Sequence, residues 1–109
     1  EKFINEIPEV VKHADPNSST YLFGHLGDGN VHVNVLGKDG GEPSNVVESA
    51  VLSYVASLGG SISAEHGIGT AKKSYLHLNR TSDELRFFRN IKRALDPNNI
   101  MHPNCLLSD

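Results

Sequence analysis

The sequence predicts an α+β domain in which helices cover one face of an antiparallel sheet. Three observations carry that expectation. Asp28-Gly29 stands between two apolar, β-rich runs, the signature of a hairpin turn. Apolar residues between positions 43 and 58 recur at three- and four-residue intervals, the spacing of a one-sided helix. Thr81-Ser82-Asp83-Glu84 has the pattern of a capping box ahead of another amphipathic run.

In chain order, Phe3, Ile4, Ile7, Val10 and Val11 have helical spacing over residues 2–14, and Pro8 should either begin that helix or kink it. Residues 15–19 read as a loop, and the hairpin follows over 20–36. The helix of residues 43–58 carries Val46, Val47, Ala50, Val51, Tyr54, Val55 and Leu58 on one side. It should pack on the apolar face of the hairpin and stop at Gly59-Gly60. Ser61-Ile62-Ser63-Ala64 alternates between glycine-rich flanks and is expected to be a strand. A helical turn or two then leads to a last helix with Leu85, Phe88, Ile91 and Leu95 as its buried stripe, ended by Asp96-Pro97. The tail is irregular. The order is helix, two strands, helix, strand, helix.

With 109 residues, 38% of them hydrophobic, the chain is expected to be one domain, 1–109, with a small core. A net charge of −3 without a basic cluster argues against nucleic acid or an anionic membrane as the main partner. No apolar run reaches the length of a membrane span and no signal peptide opens the chain, so the expected setting is the cytoplasm, with the periphery of the inner membrane or the mitochondrion as alternatives. A single cysteine, Cys105, precludes an internal disulfide and lacks a neighbouring base that would make it a nucleophile. Glu1-Lys2-Phe3 begins without an initiator methionine, which suggests a piece of a longer protein.

The chemistry concentrates in Gly24-His25-Leu26-Gly27-Asp28-Gly29-Asn30-Val31-His32-Val33-Asn34-Val35. With Asp28 and Gly29 as a two-residue turn, His25 faces His32, at a Cβ separation of about 4.5–5.5 Å. Alternation places Tyr21, Phe23, His25, His32 and Asn34 on one face, and Leu22, Leu26, Val31, Val33 and Val35 on the other, the core face. The expected later strand delivers Glu65-His66. His25, His32 and Glu65 form a two-nitrogen, one-carboxylate set of the kind used by an open catalytic zinc site, or by manganese or iron. Asn34 would reach the same bound molecule, and His66 is the candidate general base. The same residues read equally well as a cross-strand histidine pair and a polar turn. His13, His77 and His102 read as surface or loop residues, and Lys72 as a solvated charge or an anion contact.

Gly24–Val35, then Gly59-Gly60-Ser61-Ile62-Ser63-Ala64-Glu65-His66-Gly67-Ile68-Gly69-Thr70-Ala71-Lys72-Lys73-Ser74-Tyr75-Leu76, then Ile91-Lys92-Arg93-Ala94-Leu95-Asp96-Pro97-Asn98-Asn99-Ile100-Met101-His102-Pro103, resemble in order and spacing the C-terminal portion of the FAD-linked oxidases of D-2-hydroxy acids. That family includes D-lactate dehydrogenase, the glycolate oxidase flavin subunit and D-2-hydroxyglutarate dehydrogenase. The resemblance runs from Tyr21 onward. It implies a ferredoxin-like cap beside a separate N-terminal flavin domain. It also implies a divalent metal, usually zinc, on His25, His32 and Glu65, with Asn34 and His66 on the substrate. The implied activity is oxidation of a small 2-hydroxy acid, with His66 taking the hydroxyl proton and FAD the hydride. Electrons would pass on to a quinone, electron-transfer flavoprotein or similar carrier. Where the family's tail reads Asn-Pro-Gly-Lys, this chain has His102-Pro103-Asn104-Cys105, so no flavin contact is assigned there. Alternatives left open are a stand-alone metal- or ligand-binding module, or a metal-dependent hydrolase.

Overall fold

The computed structural model describes residues 1–107, and the side chain of Leu26, expected on the core face of the hairpin, lies outside that description. The chain divides into two compact units, Glu1–Gly60 and Ser61–Asp109. Its class is α+β with an antiparallel sheet, as the sequence predicts.

The first unit contains α1 (Lys2–Ala14), β1 (Ser19–His25), β2 (Asn30–Leu36) and α2 (Asn45–Ser57), with single 3-10 turns at Leu26–Asp28 and Lys38–Gly40. α1 neither begins at Pro8 nor breaks there. Pro8 deprives only the Ile4 carbonyl of its helical donor. Ile4 lies at the surface, where water can take the place of that donor. One turn apart along the same helix, Ile7 and Val11 are fully buried, and with Val47 and Leu52 of α2 they form the core of this unit.

α1 packs on both α2 and β1, so it takes the position against the hairpin that the sequence led us to expect for α2. Two contacts pin α2 to α1. Phe3 stacks on Tyr54 with ring centroids 6.0 Å apart, and the Tyr54 hydroxyl donates to the Glu6 carboxylate. This bond pushes the Tyr54 pKa from 10.0 up to about 12, because ionisation would remove its donor and set a phenolate against a carboxylate. Val46 and Leu58, expected within the buried stripe, are exposed, and Leu52 is buried in their stead. α2 ends in a Schellman pair of bonds, Gly59 N–H to the Ala56 carbonyl and Gly60 N–H to the Val55 carbonyl, both 3.0 Å, at the expected stop.

The second unit holds a 3-10 segment, Lys73–Leu78, then α3 (Ser82–Leu95) and an irregular tail. Residues 61–64 are not the expected strand. Local bonds claim their polar groups instead: Ser61 Oγ donates to the Ser63 carbonyl at 3.1 Å and lies 3.2 Å from the Ser63 nitrogen. Serine side chains compete with a ladder in just this way.

α3 starts at the capping box. Glu84 N–H donates to Thr81 Oγ1 at 3.2 Å, and Thr81 N–H donates to Glu84 Oε1 at 3.0 Å. It stops at Asp96, whose carboxylate accepts from the Lys92 ammonium and from the N–H groups of Ile100 (3.0 Å) and Met101 (2.9 Å). The Lys92 ammonium first, and those amides after it, hold the Asp96 pKa down at about 2. The expected buried stripe is a correction: Leu85 and Phe88 are half-buried, whereas Ile91 and Leu95 are exposed. Their side of α3 borders a cavity of about 500 Å³ shared with the tail, rather than a packed core.

Candidate functional site

β1 and β2 pair with Phe23 opposite His32, Gly24 opposite Val31 and His25 opposite Asn30. His25 therefore does not face His32 directly, as the two-residue turn required. The turn has four residues: Leu26–Asp28 form a 3-10 turn and Gly29 closes it at φ +66°. Only Gly29 of the Asp28-Gly29 pair takes a positive φ, the conformation a glycine adopts without a Cβ penalty.

Gly24 helps set this register. A Cβ there would stand 2.2 Å from the Asn30 carbonyl oxygen, so only glycine tolerates so close an approach. The signal was present in the sequence, as a glycine just before His25 and a second one inside the turn.

The shift is two residues, and side chains alternate with period two, so the faces survive it. Tyr21, Phe23, His25, Asn30, His32 and Asn34 share one face. Thr20, Leu22, Val31, Val33 and Val35 are half-buried on the other. His25 and His32 become a diagonal pair across the ladder, about 7–8 Å apart at the backbone, a span that two imidazoles can bridge.

Sequence reasoning missed the partner that His32 does have. Its ring lies parallel to Phe23, with centroids 4.8 Å apart and planes 4° apart. Phe23 is 55% exposed, so its face is spent on the imidazole rather than on a core. His25 Nδ1 stands 3.6 Å from Asp28 Oδ2, and both side chains are exposed. Asn34 is exposed on the same face, two residues beyond His32.

Glu65 and His66 belong to the second unit, on a loop that exposes both side chains. Ser63 Oγ donates to the His66 carbonyl and lies 3.2 Å from that of Gly67. Beyond the loop, the Leu106 N–H from the tail donates to the Gly69 carbonyl at 2.7 Å. Lys72, read as a solvated charge or an anion contact, is half-buried, and its ammonium donates to the Ile62 carbonyl at 3.0 Å.

Among the described residues, no three His, Cys, Asp or Glu side chains form a group able to hold a metal ion. The hairpin does supply a pair of imidazoles on one face, which suits a borderline divalent ion such as zinc. Glu65, the carboxylate expected to complete the set, lies in the other unit. No helix among the described residues is long and apolar enough to cross a membrane.

Comparison with known proteins gives these residues a context. The chain is 37% identical over 107 residues, 93% of its length, to a D-2-hydroxyglutarate dehydrogenase of Stutzerimonas stutzeri. It is 46% identical over 82 residues, 74% of its length, to a D-2-hydroxyglutarate–pyruvate transhydrogenase of Saccharomyces cerevisiae. It is 31% identical along its whole length to a mitochondrial D-2-hydroxyglutarate dehydrogenase of Danio rerio. It spans only 23%, 16% and 21% of those proteins, respectively. Residues 1–105 match the family described as FAD linked oxidases, C-terminal domain, and the chain belongs to that family.

Proposed function

We propose that residues 1–109 are the substrate- and metal-binding cap of a longer FAD-dependent dehydrogenase that oxidises a small D-2-hydroxy acid to the 2-oxo acid. Among substrates of the 2-hydroxyglutarate, lactate and glycolate kind, the names of the relatives favour the first. The observation that carries the reading is the family match over residues 1–105, together with a strand face that presents His25, His32 and Asn34 outward.

His66 is the group that takes the proton from the 2-hydroxyl. Its imidazole sits on an exposed loop, where it can accept that proton and pass it to water. Asn34 can donate its amide N–H to the substrate carboxylate and turn the C2–H bond in one direction. His25, His32 and Glu65 would hold a divalent ion, zinc by their chemistry, which supplies Lewis acidity towards the substrate oxygens. FAD, bound by an N-terminal domain of the same protein, supplies the hydride acceptor. Electrons then leave to a quinone, an electron-transfer flavoprotein or a similar carrier. The cytoplasm, or the mitochondrion as in the named zebrafish relative, is the setting proposed with this activity.

The test is His66→Ala in the full-length flavoenzyme, with D-2-hydroxyglutarate as substrate. Flavin reduction should slow by about 10²–10⁴-fold while flavin content is unchanged; an unaltered rate would remove His66 from proton transfer. For the metal, elemental analysis of the same enzyme should show divalent ion lost on His32→Ala, and equal content in both proteins would dismiss the site.

A further inference from the structure

The loop that presents His66 has no ladder to hold it, yet its backbone is tied at defined points. Ile62, only 5% exposed, anchors its start. Two side chains from farther along the chain take both polar groups of that residue's backbone: Ile62 N–H donates to Asn79 Oδ1 at 2.8 Å, and its carbonyl accepts from Lys72 Nζ at 3.0 Å. Asn79 is itself placed by the 3-10 segment Lys73–Leu78, which its N–H closes by donating to the Leu76 carbonyl at 3.1 Å. Lys72 is half-buried, and its bond to a carbonyl is charge-assisted, stronger than a neutral one. Four residues beyond Ile62 comes His66, whose carbonyl accepts from the Ser63 hydroxyl.

We propose that Lys72 and Asn79 are positioning residues for His66. By gripping Ile62 from both sides they hold the loop in the one conformation that carries the imidazole to the substrate hydroxyl. Neither side chain touches substrate. This inference rests on the reading of His66 as the proton acceptor. It assigns Lys72 a task that charge alone does not suggest, since the ammonium is spent on a peptide carbonyl.

The experiment pairs two readouts. In the full-length enzyme with D-2-hydroxyglutarate, Lys72→Met keeps the aliphatic stem and removes the donor. It should lower kcat about 10–100-fold, as a misplaced catalytic group does, while KM and flavin content stay within about threefold. Lys72→Arg, which retains donors, should recover most of the loss. In the 109-residue chain, Lys72→Met and Asn79→Ala should each speed hydrogen exchange of the amides of residues 63–67 by about tenfold, with the amides of α3 unchanged. Exchange that rises evenly through the second unit would mark Lys72 as a plain stabilising residue and overturn the proposal. So would unchanged loop exchange, or a fall in kcat that Lys72→Arg fails to relieve. If His66→Ala leaves flavin reduction intact, the proton-acceptor reading fails and the positioning role falls with it. Loop exchange then still shows whether Lys72 and Asn79 clamp Ile62.

Discussion

In the hairpin, His32 is held by a two-stranded backbone ladder and a stacked phenyl ring, whereas the loop that bears His66 hangs from the two backbone groups of Ile62. A ladder spreads positioning over many bonds that no side chain supplies, so it resists substitution except where a new atom enters the backbone's own space. A clamp concentrates the same task in a few side chains. It is therefore the part of the site that point substitutions reach most easily, and the part where shape can be tuned without disturbing the strands.

The largest effect should come from the anchor of the clamp. Ile62→Ala removes a buried side chain and should cost about 3 kcal/mol, read as a lower denaturant midpoint for the second unit. An unchanged midpoint would mean that Ile62 does not anchor the loop. Gly24→Ala attacks the ladder at the point where it can be broken, since the added methyl would meet the Asn30 carbonyl oxygen at 2.2 Å and Val31 Cα at 2.9 Å. These are backbone atoms with little freedom to yield. A loss of about 2 kcal/mol is expected, with loss of the ring-current shift that Phe23 imposes on His32. A hairpin that accepts alanine there would show the register to be set elsewhere.

Smaller effects sharpen the contrast by acting away from both presenting elements. Thr81→Ala removes the cap of α3 and should cost about 1 kcal/mol while loop exchange at residues 63–67 keeps its rate. In the first unit, the raised pKa of Tyr54 makes the protonated phenol the stabilising form. Its contribution is fully present below pH 10 and disappears as pH rises towards 12. An alkaline titration followed by circular dichroism should show that loss, and Tyr54→Phe should flatten it. A wild-type curve already flat between pH 10 and 12 would contradict the Tyr54–Glu6 bond.

Much of the fold could be read in advance because its logic is local. The capping box needs only Thr81 and Glu84 three residues apart, and Gly59-Gly60 needs only the end of its own helix. The expected buried stripe on α3 failed for the opposite reason. Helical spacing shows which side of α3 is apolar, and packing decides whether anything covers it. Ile91 and Leu95 face a cavity rather than a core. Likewise, α2 carries apolar residues around most of its surface, and a stack and a hydrogen bond to α1 chose its partner.

From the sequence alone came the family, the α+β class and the face shared by His25, His32 and Asn34, because alternation along a strand is unaffected by a register shift of two. Tertiary structure alone decided which residue lies opposite His32, and that a lysine and an asparagine would hold the backbone before His66. Both depend on close approach between segments distant in the chain: a backbone packed against Gly24, and two side chains reaching the peptide groups of Ile62. Spacing along a chain carries periodicity, and it holds no record of such distances.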